Sequence, residues 1–170
     1  MKPIVTIMCG VPGSGKSTWL QQFDGMSAVS VVSRDQIRFS MLSDTDEYFS
    51  KENEVFDKFI DTINDRITNG DESIIFVDAT HLNPKARHKV LSRLDTENCR
   101  AVHAIFFDVS LDTCLERNEQ RSGRAYVPPT VVKNMYSSYR FPICDEGFDT
   151  IWVIKETDEI LELWEEKKYE

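Results

Sequence analysis

The feature that most constrains this chain is a glycine-rich stretch near its start. Residues 10–18 read GVPGSGKST and match the phosphate-binding pattern G-x-x-x-x-G-K-[ST] along its full length. The motif follows the apolar run 4–9 and precedes residues 19–23, which are compatible with a helix. A P-loop works only as a turn between a buried strand and a helix, so this context favours a phosphate-binding turn over a chance glycine-rich one. The sequence therefore predicts a strand, a P-loop and a helix in that order.

The residue types in the loop suggest a role for each position. Glycines let successive backbone N–H groups point at phosphate oxygens, and the following helix contributes its positive end. Lys16 is expected to reach the β and γ phosphates, and the Ser17 hydroxyl to bind Mg²⁺. The expected nucleotide-binding residues of the loop are Gly13, Ser14, Gly15, Lys16, Ser17 and Thr18. A dinucleotide-binding turn would need glycine where Thr18 stands, which disfavours a Rossmann fingerprint.

Length and composition narrow the class of protein. At 170 residues the chain is expected to form one domain, residues 1–170. It carries 29 Asp and Glu against 20 Lys and Arg, a formal charge of −9 that opposes non-specific binding to nucleic acid or anionic membranes. Four cysteines without C-x-x-C spacing and three histidines without ligand spacing argue against disulfides and zinc. Since no signal peptide or membrane-spanning apolar run is found, we expect a cytoplasmic protein without a membrane partner.

Apolar runs alternate with helical periodicity along the chain. Strands are expected near residues 3–9, 29–33, 73–78, 101–107 and 150–154, separated by helical segments. Nearly continuous apolar strands indicate burial on both faces, as in a parallel sheet covered by helices. We therefore predict an α/β fold of the P-loop NTPase/kinase type, with a five-stranded, mostly parallel sheet and helices on both faces. An arginine-bearing lid is expected at about 117–128, and an acidic C-terminal helix at about 157–168.

Charged residues follow the second expected strand. Asp35 and Arg38 lie three positions apart and would share one face of a helix that begins there. In a doubly wound sheet, the ends of neighbouring strands open onto the crevice that holds the P-loop. The carboxylate could then accept a hydroxyl proton while the arginine holds an anion of the acceptor. An equally open interpretation is that Asp35 caps the helix and Arg38 makes a surface ion pair.

Two further stretches are expected to bring charge to the same crevice. Asp78 ends the third expected strand, where Walker-B acids usually stand, and could hold Mg²⁺ through water, orient Arg38 or cap the strand end. Arg117, Arg121 and Arg124 lie within eight residues of one another. Arginines on a flexible helix end suit a lid that neutralises the charge developed in phosphoryl transfer, although a solvated basic stripe is the alternative.

Taken together, these stretches resemble the polynucleotide 5′-hydroxyl kinase family of P-loop phosphotransferases, including the kinase domain of phage-type polynucleotide kinase. The resemblance is carried by GVPGSGKSTW at 10–19, SRDQIR at 33–38, VDATHLNP at 77–84, and RNEQR at 117–121, followed by VP and then MYSSY, which ends at Tyr139. It implies ATP-dependent phosphoryl transfer to the 5′-hydroxyl end of DNA or RNA, with a role in nucleic acid end repair. A phage-encoded member would act in the host cytoplasm.

The same resemblance implies roles for individual residues. The implied catalytic residues are Lys16, Asp35, Arg38 and Arg121, with Asp35 as the general base and Arg38 as the clamp on the terminal nucleotide's phosphate. The implied lid residues that bind the donor are Arg117, Arg121 and Arg124. Ser17 would contact Mg²⁺, and Asp78 would support the acceptor site. The implied cofactors are ATP, or another nucleoside triphosphate, and Mg²⁺.

Two other functions are compatible with the motifs. A P-loop kinase for a small-molecule or nucleotide-sugar alcohol would use the same fold and donor, while a nucleotide-binding switch would not catalyse transfer. Arg38 favours the polynucleotide reading, because such an acceptor carries an internucleotide phosphate beside its reactive hydroxyl. The sequence does not rank DNA against RNA, single strands against duplex ends, or ATP against GTP.

Overall fold

A twisted sheet forms the centre of the computed structural model, which describes residues 1–157 and 160–163. Its strands are β1 (Ile4–Cys9), β2 (Val29–Ser33), β3 (Ile74–Asp78), β4 (Ala101–Asp108), β5 (Thr150–Lys155) and β6 (Ile160–Leu163). They lie in the order β2-β3-β1-β4-β5-β6. Strands β1 to β5 are parallel to their neighbours, whereas β6 pairs antiparallel with β5. The expected α/β fold with five parallel strands is confirmed.

Helices connect the parallel strands. They are α1 (Lys16–Leu20), α2 (Arg34–Met41), α3 (Glu52–Asn69), α4 (Pro84–Leu91), α5 (Leu111–Glu119) and α6 (Pro129–Ser137). Three of them begin at a side-chain cap, where Ser33, Asn83 or Ser110 accepts a hydrogen bond from a backbone N–H of the first turn. These caps fix the points at which the chain turns from the sheet into a helix.

The sheet is covered by helices on both faces, as its apolar strands predicted. Adjacent residues of β1 enter different clusters: Ile7 packs with Phe59 of α3, and Met8 packs with Leu20 of α1 and Cys114 of α5. Successive strand side chains point to opposite faces, so a strand buried on both sides needs apolar residues without alternation. Among the described helices, none is long and apolar enough to span a bilayer.

The C-terminal helix expected at 157–168 is wrong for the part that the structure describes. Residues 160–163 form β6, with Ile154 opposite Ile160 and Ile151 opposite Leu163. The backbone pairing of these residues with β5 is a tertiary contact, and such contacts can override local helical preference. Residues 158–159 and 164–168 of the expected helix lie outside the described residues.

Candidate active site

The P-loop rests directly on helix α5. Gly13 and Gly15 have φ of 83° and 97°, a region that residues with a Cβ rarely adopt. A Cβ at Gly13 would lie 2.2 Å from the carbonyl oxygen of Cys114, so the loop and the helix approach as closely as glycine permits. A Cβ at Gly15 would lie 3.5 Å from Nη1 of Arg117. The first of the expected lid arginines is therefore positioned against the loop.

Lys16 and Ser14 are the less exposed of the polar side chains in this loop, since Ser17 and Thr18 are exposed. Nζ of Lys16 donates hydrogen bonds to the carbonyl oxygens of Gly10 at 2.6 Å and Val11 at 3.3 Å. Burial lowers the pKa of Lys16, and the nearby carboxylate of Asp78 opposes that shift. Ser14 is buried, and its hydroxyl has no hydrogen-bond partner among the described residues. An unpartnered buried hydroxyl beside a lysine and the start of α1 fits the phosphates of a nucleotide.

Asp78 is the last residue of β3, which pairs with β1 on the side opposite β4. It lies opposite Ser33 of β2 and Met8 of β1 in the sheet register. Burial raises the pKa of Asp78, while the charge of Lys16 and a hydrogen bond from Ser33 oppose the increase. The carboxylate is thus placed between the P-loop lysine and the start of α2.

The expected Mg²⁺ ligands are hard oxygen donors. Ser17 is exposed in the first turn of α1, and Asp78 provides a carboxylate. Within residues 1–157 and 160–163, no group of three or more His, Cys, Asp or Glu side chains is arranged to hold a metal ion. Mg²⁺ commonly binds with one or two protein oxygens, phosphate oxygens and water, so this donor set fits a metal brought in with the nucleotide.

Asp35 and Arg38 share one face of α2, as their spacing predicted. The side chain of Asp35 is 62% exposed, whereas that of Arg38 is 5% exposed. Nη1 of Arg38 donates to Oδ1 of Asp35 at 2.5 Å. The helix cap is Ser33, whose hydroxyl accepts from the N–H of Gln36. The alternative in which Asp35 caps the helix is therefore wrong, whereas the expected ion pair of Arg38 is present, with its guanidinium buried rather than at the surface.

The structure adds Tyr48, which the sequence analysis did not identify. Its hydroxyl donates to the same Oδ1 of Asp35 at 2.8 Å and accepts from Nη1 of Arg38 at 2.9 Å. Burial, followed by the charge of Asp35, raises the pKa of Tyr48 to about 12, so the phenol remains protonated and can donate. Tyr48 lies in the loop between α2 and α3, where no periodic pattern marks it.

Glu52 is a second residue that the sequence analysis missed. Its Oε2 accepts from Nη2 of Arg38 at 2.6 Å, and its Oε1 accepts from Arg34. Arg34 and Arg38 are four residues apart on α2, so their guanidinium groups can meet one carboxylate at the start of α3. The spacing of the two arginines was visible in the sequence, but the position of their shared partner depends on how α3 packs.

The lid segment, residues 117–128, consists of the end of α5 and a short loop. The side chain of Asn118 is fully buried and closes this loop, since Nδ2 donates to the carbonyl of Val127 at 2.6 Å and Oδ1 accepts from its N–H at 3.2 Å. The charge of Arg121 contributes to the pKa shifts of both Lys16 and Asp78. Arg117 and Arg121 therefore lie on the P-loop side of the crevice.

Arg124 lies elsewhere. It contacts Asp44 at 3.4 Å, and its guanidinium carbon is 5.5 Å from the ring centre of Phe39. Both partners belong to the part of the chain around Asp35, in α2 and the following loop. The lid segment thus bridges the crevice, with Arg117 beside the P-loop and Arg124 beside α2 and the loop that follows it.

An open cavity of about 390 Å³ adjoins the P-loop. It is lined by Gly15 and Thr18 of the motif and by the aromatic side chains of Trp19 and Phe107, with Lys155 among its polar residues. A mostly apolar cleft of this size with a few polar groups is typical of a small-ligand site. Its position next to the phosphate cradle suits the nucleoside of a bound nucleotide.

Two buried polar residues hold the turn after β3. Nδ1 of His81 donates to the carbonyl of Met8 at 2.6 Å, and its backbone has a positive φ of 42°. Arg87 is fully buried and makes a two-pronged ion pair with Glu146, with distances of 2.6 Å and 2.8 Å. These contacts fix the chain next to Asp78 and suggest a structural role.

A family model described as an AAA domain matches residues 5–142. The chain belongs to this AAA domain family. The matched range of the AAA domain runs from β1 past α6, and so includes the P-loop, Asp35, Asp78 and the lid segment.

Solved structures with the same fold include proteins of different kinds. A putative kinase from Chloroflexus aurantiacus has a TM-score of 0.70 at 17% identity, covering 92% of this chain and 86% of that one. A sugar kinase from a Janibacter species has a TM-score of 0.60 at 20% identity, covering 91% and 86%. A chain of the Pnkp1/Rnl/Hen1 RNA repair complex has a TM-score of 0.67 at 18% identity, covering 80% of this chain but only 43% of that one.

At these identities, the similarity shows the fold alone. The AAA domain described here has the fold of the P-loop kinases. Its structural neighbours include both a sugar kinase and a chain of an RNA repair complex, so the fold alone does not identify the substrate.

Proposed function

We propose that this protein transfers the γ-phosphoryl group of ATP to the 5′-hydroxyl end of a DNA or RNA strand. The observation that carries the proposal is the Asp35–Arg38 pair, in which an exposed carboxylate lies 2.5 Å from a buried guanidinium. A carboxylate can accept the proton of the attacking hydroxyl, and an arginine can bind the phosphate that follows the terminal sugar. A small sugar alcohol offers no such phosphate.

The proposed reaction is a direct transfer. The acceptor oxygen bonds to the γ-phosphorus, its proton passes to Asp35, and the bond from the γ-phosphorus to the bridging oxygen breaks to release ADP. Lys16, Arg117 and Arg121 neutralise charge on the donor phosphates. Mg²⁺, held by Ser17 and through water by Asp78, would supply further positive charge to those phosphates. In this scheme, an acceptor phosphate reaches Arg38 by displacing the Tyr48 hydroxyl from Nη1.

The test combines an acceptor panel with one substitution. Radiolabelled ATP is incubated with 5′-hydroxyl DNA, 5′-hydroxyl RNA, a nucleoside, a nucleoside 3′-monophosphate and a simple sugar. We expect transfer to the strands and to the nucleoside 3′-monophosphate, with little to the nucleoside or the sugar. Efficient labelling of the sugar alone would instead assign the protein to the small-alcohol kinases.

Asp35→Asn tests the base directly. We expect kcat to fall by about 10² to 10⁴ while ATP binding, measured by calorimetry, changes little, because the amide cannot accept the proton. Asp61→Asn changes an exposed carboxylate on α3 and is the matched control. Turnover by Asp35→Asn close to that of the control would exclude Asp35 as the general base.

A further inference from the structure

Three aromatic side chains form a connected group next to the candidate acceptor pair. The ring centre of Tyr48 lies 4.5 Å from the guanidinium carbon of Arg38, and that of Phe49 lies 5.6 Å from it. The Tyr48 and Phe49 ring centres are 4.7 Å apart and the rings are nearly perpendicular, and the ring centre of Phe39 is 6.2 Å from that of Tyr48. We call Phe39, Tyr48 and Phe49 the aromatic platform.

Two of the three platform rings are exposed, and neighbouring side chains contact the platform. Phe49 is 66% exposed and Tyr48 is 39% exposed. The Tyr48 hydroxyl is held by Asp35 and Arg38, and Arg124 of the lid segment packs over Phe39. Clustered exposed aromatic rings commonly mark an interaction site, because solvent contact with such rings is unfavourable.

From this juxtaposition we infer that the aromatic platform stacks against a nucleobase at the 5′ end of the acceptor strand, an inference that rests on the proposed function. The Tyr48 hydroxyl is 2.8 Å from the carboxylate of Asp35, so the Tyr48 ring is joined by one hydrogen bond to the residue proposed as the general base. The base of the terminal nucleotide is attached to the same sugar as the reacting hydroxyl. It must therefore lie close to Asp35 when that hydroxyl is bound.

Two arginines next to the rings make a nucleic acid strand a suitable occupant. The guanidinium carbon of Arg38 lies 4.5 Å and 5.6 Å from the Tyr48 and Phe49 ring centres, and that of Arg124 lies 5.5 Å from the Phe39 ring centre. Both arginines are paired with carboxylates in this structure, so a strand phosphate has to compete with Asp35 and Glu52, or with Asp44, for them. Stacking on aromatic rings next to arginine is a common way to bind single strands without reading their sequence. The absence of an evident base-reading pattern in the sequence is consistent with this mode.

The experiment compares two acceptors on matched variants. One is a 5′-hydroxyl oligonucleotide, and the other is identical except that its two 5′-terminal nucleotides lack bases. We expect the KM of the wild-type protein for the abasic strand to be about 5- to 150-fold higher than for the intact strand. Phe49→Ala should raise the KM for the intact strand and remove most of this difference, with little change in the KM for ATP. Phe49→Trp should preserve it.

Phe141→Ala provides the control. Phe141 is also an exposed phenylalanine, at 42%, but its ring packs against Phe106 of β4. This variant should show the wild-type difference between the two strands. Thermal melting of each variant shows whether a change in KM comes from loss of the fold.

Each other outcome has a defined meaning. If strands are phosphorylated but Phe49→Ala retains the wild-type preference, the platform is overturned and the proposed function stands. If no strand is phosphorylated, the proposed function fails, and the platform is decided by fluorescence anisotropy. In that titration, Phe49→Ala must bind the intact strand about 5- to 150-fold more weakly. Equal binding of the strand by the wild-type protein and by Phe49→Ala would assign the rings to another contact. The same conclusion would follow if the wild-type protein self-associated in sedimentation experiments and Phe49→Ala did not.

Discussion

Arg38 shows how one residue can be both buried and charged at the edge of a crevice. Its guanidinium donates to Asp35, Glu52 and Tyr48, so each of its two terminal nitrogens has a partner. Burying an arginine is unfavourable unless its hydrogen bonds are made. Glu52 is central to this arrangement because it also accepts a hydrogen bond from Arg34.

Glu52→Gln tests whether this carboxylate holds the arginines. Removing its charge leaves Arg34 and Arg38 without their shared anion, and we expect the free energy of unfolding to fall by about 1–3 kcal/mol in urea titrations. Glu54→Gln alters an exposed acid in the same helical turn and should change stability by less than about 0.5 kcal/mol. Equal stabilities of the two variants would show that Glu52 is not the anchor.

His81 connects a single residue to pH dependence. Burial lowers the pKa of His81 from its ordinary 6.5 to about 4, so the folded protein takes up this proton less readily than the unfolded chain. Its contribution to stability is therefore present above pH 6.5 and is lost as the pH falls towards 4. The loss attributable to this group is on the order of 3 kcal/mol.

The measurement is the free energy of unfolding at pH 7 and at pH 5. His81→Asn should show a smaller decrease between these values than the wild-type protein, because asparagine does not titrate and tolerates a positive φ. His88→Asn, at an exposed position on α4, should keep the wild-type decrease. A wild-type decrease retained by His81→Asn would argue against a buried neutral imidazole.

At the scale of elements, the contact between the P-loop and α5 determines the shape of the phosphate cradle. Gly13→Ala would place a methyl group 2.2 Å from the Cys114 carbonyl oxygen, at a φ of 83°. We expect a stability loss of about 2–5 kcal/mol and a large loss of ATP affinity, since the loop must move away from the helix.

Gly25→Ala is the matched comparison for this glycine. Gly25 has a similar φ of 79°, but an added Cβ would have no atom within 4 Å. It should cost only the backbone strain of about 1–2 kcal/mol and leave ATP affinity unchanged. Calorimetric titration with ATP distinguishes the two variants, and equal affinities would show that contact with α5 does not shape the loop.

The elements that could be predicted from the sequence are those with a strong local pattern. The P-loop has a fixed spacing, and β3 is an apolar run short enough to be a strand. By contrast, the contacts of Tyr48 and Glu52 with α2 join residues 10 to 18 positions apart in sequence, across a loop without periodicity. Residues 160–163 were misassigned because their pairing with β5 is a tertiary contact that local composition does not encode.

For the whole molecule, charge restricts how a nucleic acid could bind. The formal charge of −9 repels a polyanion, so the strand must be held by a few local cations such as Arg38. If two phosphates are neutralised, the logarithm of affinity should fall with the logarithm of salt concentration with a slope of about −1.4 for a single strand.

Titrations at several salt concentrations test this expectation. Arg38→Gln should make the slope shallower by about 0.7, while Lys58→Gln, at an exposed position on α3, should leave it unchanged. A slope several times steeper would require a long basic groove, contrary to a terminal binding site.

The hydrogen bonds of Asn118 restrict the loop that carries Arg121 and Arg124. The Asn118 amide pairs with both backbone groups of Val127, as a neighbouring strand would. The two ends of the intervening loop are therefore held together by hydrogen bonds, so we expect a rearrangement of the loop to be confined to the residues between Asn118 and Val127. Arg121 and Arg124 lie between these two positions, so we expect any movement of their side chains towards the cleft to be limited by the length of that loop.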